Sequence, residues 1–251
     1  MIVLGLDTAT YATSVALCEL EGDAAGAPAP QRALELRDDP PPGGRPGHAR
    51  ASLALAERAL ERAGCRWEQI GRIAVGVGPG TFTGLRVGIA TAHGLALALG
   101  IELVGVSSLR ALALGAQEAA GEHGAELICA VLDARRGEVF AACWRAVGVA
   151  EEPPLAPPTA LAPGRLAEQL ARERRTVLAV GDGAAACRDA LTRAGALVPA
   201  EGSALHRVCA VAHCRLSGGS SSGIVLPDYV RRPDAEPARG AGLSRAIQPV
   251  G

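Results

Sequence analysis

The sequence predicts an α/β fold of two related lobes, and two observations carry that prediction. An antiparallel hairpin pattern followed by strand–helix alternation occurs twice along the chain, which points to a repeated α/β unit. The chain has 251 residues, 49% hydrophobic and 20% charged, which is long enough for two cores beneath a polar surface.

Residues 2–7 form a short apolar run ending in an acid, and residues 14–20 follow after a Thr/Ala/Tyr turn. Together they read as a β-hairpin. Residues 32–37 add a third strand, because Leu34 and Leu36 alternate with polar neighbours. The connections 21–30 and 38–47 are rich in Pro and Gly and are expected to be mobile loops. Residues 49–63 are predicted to be helical, with Leu53, Ala56, Leu60 and Ala63 on one stripe and Gly64 as the stop. Residues 73–77 read as a buried strand, followed by a glycine loop and a long helix over 83–99 that Gly100 closes. Residues 102–106 form another strand, after which Ser107 or Ser108 caps the next helix. The pattern then partly repeats. Residues 127–133 and 138–146 pair across "ARRG", and a Pro-rich connector covers 151–164. Residues 166–174 are expected as helix, 176–180 as strand, and 184–194 and 205–216 as helices. "GGSSSG" at 218–223 reads as a linker, and residues 233–251 as a disordered tail. The expected division is a first lobe over 1–106, a second over 107–226 and a C-terminal segment over 227–251. This layout fits the two-lobed actin-like (ASKHA, ribonuclease-H-like) ATPase architecture.

Composition narrows the chemistry. All 25 basic residues are arginine, so a Schiff-base lysine, a lysine general base and a P-loop lysine are absent. The formal net charge is −1, which leaves no basic excess to neutralise a string of phosphates. Two Phe, two Tyr and two Trp offer no stacking platform for single-stranded RNA. Seven cysteines at irregular spacing, without a C-x-x-C motif or a signal peptide, suggest a reducing cytoplasm. No apolar run reaches the ~20 residues of a membrane span.

"GVGPGTFTGLRVG" at 76–88 carries five glycines between a strand and a helix, a setting in which backbone N–H groups can cradle an anion. The phosphate fingerprints fit poorly. There is no Gly-Lys-Ser/Thr, and Gly84 comes too late after Gly78 and Gly80 for a dinucleotide loop. In the following helix Gly84, Gly88, Ala92, Ala96 and Gly100 recur every four residues, making one slowly turning stripe. Glycine inside a helix costs roughly 1 kcal/mol against alanine, so the stripe needs an offsetting gain. Two sources are open: the core of the chain itself, or an interface that seats another protein together with the 49–63 helix.

"GLDTAT", "AVGVGPGTFTGLRVGIATAHGLALALGIELVGVSSL", "LDARRGEVF", "GDG" and "PDYVRR" occur in this order. On these segments the sequence resembles the bacterial TsaB (YeaZ) proteins from residue 2 to about 232, most specifically over 74–109. The resemblance implies the actin-like fold and a non-catalytic role beside a TsaD-type catalytic subunit. That pair makes N6-threonylcarbamoyladenosine at position 37 of tRNAs that read ANN codons. It implies an interface on the two first-lobe helices, with His48, Leu53, Ala56, Leu60, Thr81, Phe82, Thr83, Gly84, Arg86, Gly88, Ala92 and Ala96 as its candidate residues. It further implies a homodimer when alone, a TsaE-type ATPase in the assembled complex, tRNA reached only through the complex, and no membrane. No cofactor is expected beyond weak nucleotide binding at the partner interface.

The catalytic TsaD-type relatives ligate a metal through His-x-x-x-His on a first-lobe helix, since two histidines four apart share a face. Here His48 is followed at that distance by Ser52, so no metal is expected, and His48 is expected to face solvent at a helix start. His206, Cys209, His213 and Cys214 form a second possible cluster, but Cys214 points about 100° away from His213 on a helix. Asp7 and Thr8, with Gly78, Gly80, Gly181 and Gly183, are candidates for a vestigial nucleotide site. The plainer reading of Asp7 is a turn residue whose carboxylate bonds the Thr8 or Thr10 backbone. Asp133, Arg135 and Arg136 read as a turn-stabilising charge cluster or part of a partner-facing surface. The rival to a scaffold is an actin-like ATPase, phosphotransferase or metallohydrolase acting by itself.

Overall fold

The computed structural model describes residues 1–21, 27, 29–41, 44, 46–218 and 224–230. The expected tail over 233–251, and residues 219–223 of the expected linker, lie outside the described residues.

The first sheet is built from β1 (Ile2–Asp7), β2 (Thr13–Glu19), β3 (Arg32–Asp38), β4 (Ile70–Gly78) and β5 (Glu102–Ser107) in the order β3-β2-β1-β4-β5. The hairpin strands β1, β2 and β3 pair antiparallel, whereas β4 and β5 run parallel to β1. Parallel neighbours need crossover helices. α1 (His48–Ala63) and α2 (Phe82–Leu99) supply them on one face of the sheet, burying Leu4, Leu6, Val15, Leu17, Ile73 and Val75 against Leu55, Ala56, Ala59, Leu60, Ile89 and Ala92. Both helices end in a glycine with left-handed backbone, Gly64 and Gly100. α3 (Ser108–Gly115) starts at Ser107, whose hydroxyl accepts from the Arg110 N–H. α4 (Gln117–Glu122) follows it.

The second sheet repeats the plan: β6 (Leu127–Arg135), β7 (Glu138–Arg145), β8 (Thr159–Leu161) and β9 (Val177–Val180), ordered β8-β7-β6-β9, with β9 parallel to β6. α5 (Pro163–Ala171) and α7 (Arg188–Arg193) cover its outer face through Leu166, Leu170 and Leu191. α6 (Asp182–Ala186) follows β9. The inner faces of both sheets pack on a central layer formed by α3 and α8 (Ala210–Leu216), so that Val3, Ala16 and Val104 share one core with Leu109, Cys214, Ile128 and Trp144. The architecture is the two-lobed actin-like one that the repeated pattern predicts.

Several expectations are corrected. The "Pro-rich connector" contains β8, and the helix after it starts at Pro163, since proline suits the first turn of a helix. The helix expected over 184–194 breaks at Cys187 into α6 and α7, and the one expected over 205–216 is extended at Arg207 and Cys209 before α8. Contacts also cross the expected boundaries at 106 and 226. α8 returns to the first sheet, where Glu35 accepts from the Ala210 N–H at 2.8 Å and Arg72 donates to the Ser217 carbonyl at 3.3 Å. Residues 224–230 return to it as well: the Asp228 N–H donates to the Val77 carbonyl at 2.8 Å, and Val225 joins the core beneath α2.

Two glycines of α2 separate close approach from mere permissiveness. A Cβ at Gly84 would lie 2.1 Å from the Thr8 carbonyl oxygen, whereas one at Gly94 would meet nothing within 4 Å. Gly84→Ala is therefore expected to destabilise the chain by roughly 1–3 kcal/mol, and Gly94→Ala to stabilise it by up to about 1 kcal/mol. Urea midpoints of the two variants, read by circular dichroism, check the opposite signs.

Candidate functional site

The glycine loop between β4 and α2 is occupied by the chain itself. The turn that joins β1 to β2 lies across it: the Thr81 N–H donates to the Ala9 carbonyl at 2.7 Å, and the Thr8 hydroxyl donates to the Gly84 carbonyl at 2.8 Å. A Cβ at Gly80 would sit 2.3 Å from the Ala9 oxygen, and one at Gly88 2.1 Å from Thr8 Oγ1. Gly78 has φ +109°, and a Cβ there would press on Leu85 and on the Asp228 carbonyl. The glycines thus admit backbone and a buried threonine where an anion would need room.

Asp7, at the end of β1, is 2% exposed and fully engaged. Its Oδ2 accepts from the Ser108 hydroxyl at 2.7 Å and pairs with His213 Nε2 at 2.8 Å, and its Oδ1 accepts from the Ala9 N–H at 3.0 Å. The turn contact is thus to Ala9 rather than to Thr8 or Thr10. A Cβ at Gly76 would sit 2.0 Å from Asp7 Oδ2, so β4 must carry glycine there. Burial alone would push this carboxyl up. The hydrogen bond and charge of His213, with Ser108 and Ala9, outweigh it and hold the carboxyl below its ordinary value. Gly181 and Gly183 are also close-approach positions: a Cβ would lie 2.0 Å from the Val131 oxygen at the first and 2.8 Å from the Leu132 carbonyl carbon at the second. These residues stand beside β6, and Asp182 between them lines a cleft together with Thr10 and Tyr11 of the β1–β2 turn.

The possible metal cluster disperses. His206 Nε2 contacts the Pro199 carbonyl, the Cys209 thiol donates to Glu35 Oε2, His213 contacts Asp7, and the Cys214 thiol donates to the Val3 carbonyl. Among the described residues no three His, Cys, Asp or Glu side chains group as metal ligands. His48 corrects the expectation of a solvent-facing residue: it is buried, its Nδ1 lies 2.9 Å from Thr13 Oγ1, and burial holds the imidazole below its ordinary pKa despite the charges of Asp7 and Asp38. Ser52 donates to the His48 carbonyl at 2.7 Å, as a helix residue bonding back one turn. Arg135 donates to Asp133 Oδ2 at 2.8 Å and stacks 4.0 Å from the centre of the Tyr11 ring. The turn cluster therefore also touches the first lobe.

The interface candidates divide into two sets. Ala56, Leu60, Gly84, Gly88, Ala92, Ala96 and His48 are buried by the chain's own β1–β2 turn, α1 and sheet. This corrects the expectation that the small-residue stripe itself seats another protein: it seats Thr8 and lets α2 close on its own lobe. Leu53, Phe82, Thr83 and Arg86 are exposed, and Thr81 is half-buried at the N-cap of α2. Leu53 lies off the buried face of α1, which is made by Ser52, Leu55, Ala56, Ala59 and Leu60. The outward face of α2 runs through Phe82, Arg86, Ala90, Gly94 and Leu97, with Leu97 85% exposed. Arg86 lies 3.6 Å over the Phe82 ring and donates to the Tyr229 hydroxyl at 3.1 Å, while Phe82 and Tyr229 sit 5.4 Å apart between ring centres. Among the described residues α2 is the one helix long and apolar enough to cross a membrane by length and composition; it is packed on the first sheet. The roles of Tyr229, Ser108 and His213 were not legible in the sequence, because each partner lies on the order of a hundred or more residues away in the chain.

Asp7 sets an acid limit on stability. A carboxyl held below its unfolded value adds stability that is present above that value and lost as pH falls through the folded one. Urea stability is thus expected to drop as pH is lowered from the ordinary aspartate value of 3.8. Asp7→Ala, which strands His213 and Ser108, should lose about 3–5 kcal/mol at pH 7 and flatten that acid limb. Unfolding curves at pH 7 and at successively lower pH check both outcomes.

Comparison with known proteins agrees with this geometry. A family model described as TsaD, tRNA N6-adenosine threonylcarbamoyltransferase, matches residues 41–215. The tRNA threonylcarbamoyladenosine biosynthesis protein TsaB of Escherichia coli K12 is 36% identical over 140 residues, 56% of this chain and 53% of that protein. TsaB of Bacillus subtilis is 30% identical over 145 residues, 58% of this chain and 56% of its own length. The chain thus spans about half the length of the curated relatives it matches. The solved structure of YeaZ from Pseudomonas aeruginosa superposes with a TM-score of 0.70 at 30% identity, covering 91% of this chain and 99% of that one. With the sheet order, the glycine loop and the two crossover helices all in place, the chain belongs to the TsaB (YeaZ) family, within the wider group that the TsaD model describes.

Proposed function

We propose that the chain is a scaffold and activating subunit in the formation of N6-threonylcarbamoyladenosine at adenosine 37 of tRNAs reading ANN codons. It docks a TsaD-type catalytic subunit through the outward faces of α1 and α2. The observation that carries this reading is the outward face of α2, where Phe82, Ala90, Gly94 and Leu97 lie exposed and Thr83, Arg86 and His93 are the exposed polar side chains. A surface helix of a self-sufficient domain turns polar residues outward, and a contiguous apolar face marks an interaction site. Arg86, held flat against Phe82 and Tyr229, suits the aromatic and arginine anchors that dominate interfaces.

The groups that would make an independent enzyme are engaged elsewhere. The Asp7 carboxylate is saturated by Ser108, His213 and Ala9, and the glycine loop holds the chain's own turn. This supports a non-catalytic role, which we place in the cytoplasm. A TsaE-type ATPase then joins the assembled complex, tRNA is met only there, and a second copy occupies the face when the catalytic subunit is absent. Any nucleotide would bind weakly, at the partner interface.

Leu97→Arg and Phe82→Asp test the docking face without opening the core. Each is expected to weaken association with a TsaD-type subunit at least about tenfold, some 1.4 kcal/mol, while circular dichroism stays that of the parent. Titration calorimetry with the purified subunit measures it. Unchanged affinity in both variants, or threonylcarbamoyl transfer or ATP turnover by the chain alone, overturns the reading.

A further inference from the structure

The second lobe carries a thiol pair that the function above does not use. Cys129 on β6 and Cys143 on β7 are directly opposite one another in the antiparallel register. The ladder tells which kind of pair they form. One step beyond the register, the Ala146 N–H donates to the Glu126 carbonyl at 2.8 Å, so 126 and 146 are a hydrogen-bonded pair. Hydrogen-bonded and non-hydrogen-bonded pairs alternate along an antiparallel ladder. Counting inward, 127 with 145 is non-bonded, 128 with 144 bonded, and Cys129 with Cys143 non-bonded. An independent contact agrees: the Cys143 carbonyl accepts from the Leu155 N–H at 2.8 Å, turned away from β6.

Non-bonded pairs bring the two Cα atoms to about 4.5 Å and their side chains closest together. A disulfide spans Cα separations from about 4.4 Å upward. Both thiols also point to the same side, since Cys129 belongs to the outer core of the second sheet and Cys143 packs against it. Cys129 is fully buried and Cys143 half-buried. The neighbouring Cys143 thiol, and then burial, push the Cys129 thiol well above its ordinary range, so Cys143 is the sulfur that an oxidant meets.

We propose that Cys129 and Cys143 are an oxidation site, a thiol pair that hydrogen peroxide converts to a cross-strand disulfide and a thiol reductant restores. The Cys143 thiolate attacks one peroxide oxygen. The O–O bond breaks, hydroxide leaves and takes up the thiol's proton as water, and Cys143 becomes a sulfenic acid. The Cys129 sulfur then attacks the Cys143 sulfur. The S–O bond breaks, and the departing hydroxide takes the Cys129 proton as a second water. Two thiols are oxidised by two electrons, and one peroxide is reduced to two waters. A thiol reductant restores the pair by thiol–disulfide exchange through a mixed disulfide. Cys18 and Cys214 also touch, but both are fully buried, so peroxide reaches them last.

The full chain, reduced and desalted, is exposed to the mildest peroxide dose that converts any thiol while circular dichroism stays unchanged, then alkylated and digested with trypsin without reductant. The expected result is a linked pair of peptides, residues 111–135 with 137–145, that separates on reduction. Cys143→Ser is expected to abolish the link, and Cys18→Ser to leave it intact. Cys143 recovered as sulfinic acid beside a free Cys129, either cysteine linked elsewhere, or other thiols oxidised before this pair overturns the proposal. None of these outcomes depends on what the α2 face binds.

Discussion

The Asp7 carboxylate is the tie on which the rest of the structure depends. It is the end of the central first-sheet strand, and it gathers the first turn of α3 through Ser108 and the middle of α8 through His213. Those two helices are the layer between the sheets, so one buried carboxylate fixes the elements against which both lobes pack. An isolated carboxylate in that position would be prohibitively desolvated; three donors, one of them the imidazole, make the ionised form the favoured one. The same acid closes the first strand. Here its lone pairs face inward to the protein.

Satisfying Asp7 has a steric consequence that propagates into α2. To bring the β1–β2 turn over the glycine loop, Gly76, Gly80, Gly84 and Gly88 must leave room for Asp7, Ala9 and Thr8. The side-chain-poor ridge of α2 is therefore committed to the interior. That commitment leaves the larger side chains, Phe82, Arg86 and Leu97, on the outward face. The helix carries apolar residues on both sides: a side-chain-poor ridge packed within, and the exposed Phe82, Ala90 and Leu97 without. Residues 224–230 run back along this region, supplying Val225 to the core and Tyr229 to the Phe82–Arg86 cluster.

The fold was largely legible because its signals are local. The apolar run at 2–7, the glycine stops at 64 and 100, and the serine before α3 each act within a few residues, and β1, α1, α2 and α3 form where these signals place them. Failures came where a local signal has two meanings. Proline read as a connector is also a good first residue for α5, and an alanine-rich stretch read as one helix broke at Cys187. The site was half legible. Asp7 reads from the sequence as a turn residue, and the structure gives that turn contact to Ala9; what lies against the glycines is not legible there, because the sequence shows only that side chains are missing and not what fills the space.

The sequence by itself determined the family, the doubled α/β plan and the removal of lysine chemistry, since these rest on residue identity and short-range period. Only the tertiary structure decided which way each face of α2 looks. It alone brought His213 to Asp7 and Tyr229 to Arg86, and it returned α8 to the first sheet. Such contacts join segments separated by most of the chain. Their partners are chosen by the packing of sheets and helices as a whole, which no window of the sequence contains.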